Sequence, residues 1–397
     1  MKRKALAAVS ITIILSTMIV IFSFIDLASA QTSTTIYINF DGSVSPSDAP
    51  INRVGDLYIL TGDTGRIIVE RSSITLDGNG HTIQGSISRT SYSNIGGVSL
   101  INVQNVTVKG FSIKDCTFGF SLDDCSNITI SGNNVTGTWQ PIPFGLLPAG
   151  IYIWDSSNNS ITGNRLENND YGMYLGENSE NNVVVGNTIS GSVHEGVRQF
   201  HSSSNTFYHN NFDNTQNVYD SGLAFTGYSY LSINVWDDGK EGNFWSDYGG
   251  TDEDGNGIGD TPYEAEYSNQ DRYPLMKPWE PDTTPPSISI ISPSIQRYNE
   301  GNVTLAFSTN EPTSKISYSL DGQDNVTISG NTTLTGLPDG DHNIIVYATD
   351  EAGNVGESGT VYFSVEVPFP TTLIAVSAII VAVVGGGLLV YFKKRKS

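Results

Sequence analysis

The sequence predicts an all-β chain: a parallel β-helix, then a small β-sandwich, then one C-terminal transmembrane helix. Three observations carry this. Between residues 97 and 212 the chain repeats with a period near 22 residues. From 285 to 365 short alternating stretches recur between Gly/Asp turns. From 371 to 392 there is no charged residue.

The repeat is anchored on Gly97, Gly119, Gly150, Gly172 and Gly196, spaced 22, 31, 22 and 24 apart. The long gap holds an insertion at 141–147. After each glycine, two apolar residues flank one other residue: Val98/Leu100, Phe120/Leu122, Ile151/Ile153 and Met173/Leu175. The fifth copy, Val197/Gln199, is half broken. A second register runs through Ile130, Ile161, Val184 and Phe207, each three residues before Asn133, Asn164, Asn187 and Asn210. Short alternating stretches with Gly/Asn corners at such a period mark a solenoid. Helical periodicity is absent. Side chains alternate across a strand, so the flanking apolar pairs point into a tube and the residues between them point out. One coil cannot bury its apolar face alone, and stacking makes the core continuous. Asparagine tolerates left-handed backbone. Asn105, Asn127 and Asn158, eight residues after their glycines, are expected to bond coil to coil.

Taken in order, residues 1–30 read as a secretory signal: a basic start, an apolar run at 5–25, and Ala28-Ser29-Ala30 before Gln31. An uncleaved anchor is the alternative. Residues 31–280 form the β-helix with its caps. The stretch 31–71 is irregular and is expected to close the open end of the solenoid, the first clear coil starting at 74–80. Residues 207–278 leave the period, hold Trp236, Trp245 and Tyr248, and form the other cap. A Pro/Thr linker spans 281–286. Seven short strand candidates at 287–291, 303–308, 315–319, 326–329, 332–334, 342–348 and 360–365 predict an Ig-like β-sandwich over 287–366. Its bland role is a spacer. Residues 371–392 are long enough to cross a bilayer. The basic tail 393–397 places that end in the cytoplasm. The bulk is then extracellular or periplasmic, on a single-pass anchor.

The formal net charge is −21. Seven of the 20 basic residues and one of the 41 acidic residues lie in the terminal segments, leaving 13 basic and 40 acidic residues between 31 and 370. A body this acidic excludes nucleic acid as a partner, which needs a basic footprint, and makes cations expected partners. No protein partner is legible. Cys116 and Cys125 stand nine apart with a strand between, too far along an extended strand for a disulfide. They are read as two packed thiols.

Three motifs are more specific. Gly242-Asn243-Phe244-Trp245-Ser246-Asp247-Tyr248, the run 251–263, and Asn269-Gln270-Asp271-Arg272-Tyr273-Pro274-Leu275 together resemble the end of NosD-like β-helix proteins. The resemblance covers roughly 74–278. It implies a right-handed parallel β-helix of a class that binds or hydrolyses carbohydrate. The family takes its name from a periplasmic factor in nitrous oxide reductase maturation, and a copper role is not carried over. Copper prefers soft ligands, and four methionines, two cysteines and five scattered histidines do not form a set.

Four constellations follow. Stacking the glycine-led strands brings outward Tyr152, Trp154, Tyr174 and Phe200 together, with Arg198 at the edge, as an aromatic face for sugar rings. The alternative is that a cap or the 141–147 insertion covers it. Five residues after each glycine stand Asn102, Asp124, Asp155, Glu177 and His201. Asp124, Asp155, Glu177 and His201 are candidate catalytic residues, because stacked acids shift one another's pKa. A solvated polar corner is the alternative. Asp252, Asp254, Asn256 and Asp260 follow EF-hand spacing, with Tyr263 where a glutamate should be; a weak structural Ca2+ site or a self-bonded turn both fit. No organic cofactor is expected. Seven Asn-x-Ser/Thr sequons, at Asn105, Asn127, Asn134, Asn158, Asn302, Asn325 and Asn331, allow glycosylation. The sites in the sandwich are the better candidates if the corner asparagines are taken up in a ladder. The leading function is carbohydrate recognition at the cell surface. A polysaccharide lyase, hydrolase or epimerase is the alternative, and a structural envelope scaffold the third reading.

Overall fold

The computed structural model describes residues 35–85, 96–139, 147–222, 231–267, 269–368 and 371–395. The signal at 1–30, nearly all of the 141–147 insertion and the last two residues of the tail lie outside them. The chain divides into two compact units, Met1–Glu280 and Pro281–Ser397.

The first unit is a parallel β-helix of three sheets, with nine, eight and seven strands. Each coil gives one strand to each sheet. Phe118–Asp123, Thr129–Ser131 and Asn134–Thr136 make one coil. Ala149–Trp154, Ser160–Thr162 and Arg165–Glu167 make the next. The pairing is parallel and in register: Phe120 with Ile151, Ile130 with Ile161, Val135 with Leu166. Ile130, Ile161, Val184 and Phe207 are successive partners and are all fully buried, so the second register fills one interior.

The repeated glycines mark a close approach at the corner entering the nine-stranded sheet. A Cβ on Gly119 would stand 2.3 Å from Val135 Cγ1 and 2.4 Å from the Gly150 carbonyl oxygen. No real side chain fits there, which explains the column.

The coil-to-coil ladder forms, but not from Asn105, Asn127 and Asn158. Those three are exposed and take φ of 58°, 54° and 61°. The left-handed turn aims them outward, and the next residue turns in. One ladder runs Asn159–Asn182–Asn205–Asn234 and ends on Asn269. A second runs Asn133–Asn164–Asn187–Asn210–Asn243 and ends on Asp271. Each buried side chain satisfies main-chain and side-chain groups of neighbouring coils, as burial requires. The terminal motif is therefore the stop of both ladders. Asn269 Oδ1 and Asp271 Oδ2 accept the last amides, and Arg272 is fixed by Asp237. Trp236 and Trp245 plug this end, stacked on Phe207 and Phe212.

The N-terminal stretch is more regular than expected. Ile36–Ile38 and Leu57–Leu60 are already coil strands, pairing in parallel with Ile67–Val69 and Thr75–Asp77. Coils thus begin before residue 74. Only Val44–Ser45 and Ile51–Val54 turn back antiparallel to blunt the edges. Cys116 and Cys125 are buried free thiols.

In the second unit, a three-stranded antiparallel sheet built on Val303–Thr309 and a six-stranded sheet built on Gly340–Thr349 enclose Leu305, Ile344, Val346 and Phe363. All seven strand candidates form, joined by Arg297–Tyr298 and Val355–Glu357. The C-terminal segment is a helix, Thr371–Lys394. Among the described residues no helix is long and apolar enough to cross a membrane. The expected transmembrane helix is thus corrected to a C-terminal helix.

Candidate functional site

The outer face of the nine-stranded sheet collects most of the candidate residues. One row of partners runs Ser99, Ser121, Tyr152, Tyr174, Arg198, Tyr219. A second runs Ile101, Asp123, Trp154. Tyr152 and Tyr174 lie parallel with ring centroids 5.1 Å apart, and Trp154 is parallel to both at 6.2 and 6.4 Å. Offset parallel rings are a favourable arrangement. Gly176 makes it possible: a Cβ there would meet the Trp154 ring at 2.2 Å.

The aromatic face is only half open. Tyr152, Trp154 and Phe200 are half-buried and Tyr174 is 5 % exposed. Leu147, the described end of the insertion, packs on this cluster. The Phe200 ring stacks over His201 at 3.9 Å.

A feature missed in the sequence lies at the start of these strands. Gly119 and Phe120 both face the interior, so Phe118 before them is turned outward and packs with Ala149, Tyr171 and Tyr174. The same offset brings Glu195, the residue before Gly196, onto the face beside Arg198. The signal was the position immediately before each repeat glycine, which reads Gly, Phe, Ala, Tyr, Glu. Arg198 is the only lysine or arginine in the nine strands. Its guanidinium sits 5.5 Å from the Tyr171 ring centroid and 5.0 Å from that of Tyr219. Its Nη1 is 3.5 Å from Glu195 Oε2, and its Nε is buried with no partner among the described residues. Burial pushes the Glu195 carboxyl up, against the pull of Arg198 and His194. Asp170 is likewise raised by burial, with His194 Nε2 3.9 Å away opposing it. His194 stacks on Tyr171 at 4.9 Å. Two acids raised by burial, a cation, a histidine and a tyrosine thus surround one spot.

The acid column is brought together in part. Asp124, Asp155 and His201 share one corner column with Asn102, at φ of 46–54°. Glu177 does not join it. Its coil has an extra residue, and Asn178, φ 55°, takes the place and donates to Asp155 Oδ1 at 2.8 Å. Asn, Asp and His are the side chains that best tolerate this backbone, which accounts for their presence. Glu177 instead approaches His201 Nδ1 at 3.4 Å. Asp123, on the face beside Trp154, was not singled out. Burial, then Asp155 and Asp124, raise its pKa.

The acidic loop is closed on itself. Asp252 accepts from the amides of Gly255, Asn256 and Gly257, which hold its carboxyl below the usual range. Asp254 accepts from Asn256, and Asp260 from Glu253. Asp252, Asp254 and Asp260 do not converge. Among the described residues the group of three metal-capable side chains with ligand atoms within 4.8 Å is Asp282, Glu311 and Asp350, in the second unit.

A family model described as periplasmic copper-binding protein (NosD) matches residues 31–250. A probable ABC transporter binding protein NosD of Pseudomonas aeruginosa is 28 % identical over 181 residues, 44 % of this chain and 35 % of that protein. Halomucin of Haloquadratum walsbyi is 40 % identical over 92 residues, 21 % of this chain and 1 % of that one. The chain spans about a third of the length of the NosD relatives it matches. Among solved structures, the periplasmic alginate epimerase AlgG covers 50 % of this chain and 77 % of its own at 14 % identity, with a TM-score of 0.26. Among the described residues the groups present do not fit copper. The three-carboxylate group has neither histidine nor cysteine, Met173 is sealed in the core, and burial pushes the Cys116 thiol up to about 12.

Proposed function

This chain belongs to the NosD family, and we propose that within it the protein recognises glycan at the cell envelope, on the outer face of the nine-stranded sheet. The observation that carries the reading is Arg198 held between Tyr171 and Tyr219, beside the parallel rings of Tyr152, Trp154 and Tyr174. Sugars present apolar ring faces and many hydroxyls. An aromatic patch edged by a guanidinium and by carboxyl groups answers both. The family description supports a periplasmic or extracellular position for the bulk of the chain.

A glycan array probed with the purified protein tests this. Binding should appear, and Trp154→Ala and Arg198→Ala should each weaken it more than about tenfold, the loss of a buried anchoring contact. Binding unchanged in both variants would remove the site. A second reading, turnover of a polysaccharide, is favoured by the raised acids Glu195 and Asp170. Reducing-end and unsaturated-uronate assays with Glu195→Gln separate it from recognition alone.

Membrane attachment through the C-terminal helix is a separate proposal. Ile379, Val381, Val383, Leu389 and Val390 are all exposed on it, and such a run needs cover. Recovery of the full chain wholly in the soluble fraction of lysed cells, with none sedimenting with membranes, would argue against it.

A further inference from the structure

We propose that the corner formed by Asn105, Asn127 and Asn158 is a glycan-attachment column, and that adjacent coils of it cannot be modified together. This stands apart from the recognition reading and needs only export. Each of the three begins an Asn-x-Ser/Thr sequon: Asn105 with Thr107, Asn127 with Thr129, Asn158 with Ser160. The expectation that a ladder occupies their amides is overturned: after Asn158 it is Asn159 that enters the ladder, and Asn105 and Asn127 are followed by the core side chains Val106 and Ile128. All three are exposed. Among the described residues none of their side-chain amides has a hydrogen-bond partner; in the sandwich, Oδ1 of Asn302 and of Asn331 accepts the main-chain N–H of Gly336 and of Phe307, and Asn325 is exposed. The reason for preferring the sandwich sites is therefore gone.

The column is set by the bridges Gln104–Ser126 and Ser126–Ser157, which place the three asparagines in consecutive coils. Successive coils are ~4.8 Å apart. A pyranose with its substituents is wider than that, so one attached chain excludes a second on the next coil. The reaction is ordinary. Asn Nδ2 displaces the phosphate of a lipid-linked oligosaccharide, the C1–O bond breaks as C1–N forms, and the amide proton passes to a base of the membrane transferase. Left-handed backbone aims the acceptor away from the sheet, so the attached sugar clears the coil beneath it.

The sequence makes co-occupancy readable. There is no lysine or arginine between Lys114 and Arg165, so one tryptic peptide, 115–165, carries Asn127 and Asn158 together with the sequon at Asn134. Glycopeptide mass spectrometry on the full chain from its own cells, with fragmentation that assigns each sugar to its asparagine, should show that peptide with a sugar at Asn127 or at Asn158, never at both. Thr129→Val removes the middle sequon without touching the Asn127 backbone, and should raise occupancy at Asn158 and Asn105. Thr129→Ser, which keeps the sequon, should leave the pattern as it was. No sugar at any of Asn105, Asn127 and Asn158 overturns the attachment, whatever Asn134 carries. A single peptide with sugars assigned to both Asn127 and Asn158, or no rise in Thr129→Val, overturns the exclusion.

Discussion

The side-chain amide of Asn187 donates to Oδ1 of Asn210, 2.9 Å away on the next coil, while its own Oδ1 accepts the main-chain and side-chain N–H groups of Asn164. One side chain thus serves three coils, donating also to the Ile161 carbonyl. It is fully buried, so nothing but another amide can replace it.

Asn187→Ala leaves buried donors of Asn164 and the Ile161 carbonyl without partners. At about 1–3 kcal/mol per orphaned group, the loss should be about 3 kcal/mol or more. Asn158→Ala, at an exposed corner, should cost about 1 kcal/mol, the strain of left-handed backbone on a residue with Cβ. Urea unfolding compares them. Equal losses would mean that the buried ladder is not what binds the coils.

Gly119→Ala should destabilise by about 2 kcal/mol or more, an overpacking cost. The added methyl meets Val135 Cγ1 at 2.3 Å and the Gly150 carbonyl oxygen at 2.4 Å. Gly249→Ala has open space around it and should leave the melting temperature nearly unchanged. Two similar melting curves would contradict the close approach.

Stability should fall with pH through the C-terminal cap. Burial pushes the Asp271 carboxyl up to about 6, against hydrogen bonds from Asn243, Trp245 and Tyr273 that favour its charged form. The folded state therefore holds this proton more tightly than the unfolded chain. The contribution is full below the ordinary aspartate range and is lost as pH rises through about 6. The rise corresponds to about 3 kcal/mol. Trp245 Nε1 donates to this carboxyl at 2.8 Å, so tryptophan fluorescence should titrate with a midpoint near 6. Asp271→Asn should abolish that titration; its survival would assign it elsewhere.

Calcium should bind the 252–260 loop weakly. Asp252, Asp254 and Asp260 now serve amides of their own turn, and gathering them on an ion means exchanging those bonds for oxygen coordination. Millimolar calcium should raise the melting temperature slightly, and Asp254→Ala should remove the rise. No calcium heat by calorimetry at any concentration would leave the loop as a self-bonded turn.

The linear order alone determined that the chain stacks. The 22-residue spacing of the glycines and the second apolar register name the residues that pile up, because a strand's alternation leaves one way to bury them. Ile130, Ile161 and Val184 share an interior for that reason. The tertiary structure decided the direction in which each corner residue points. Whether Asn158 or Asn159 enters the ladder, whether Glu177 or Asn178 stands over Asp155, and that Glu195 turns out beside Arg198 depend on backbone φ and, at Glu177, on one extra residue in its coil. A period fixes which side chains are neighbours. Only the left-handed turns and the tight glycine corner fix which way they face.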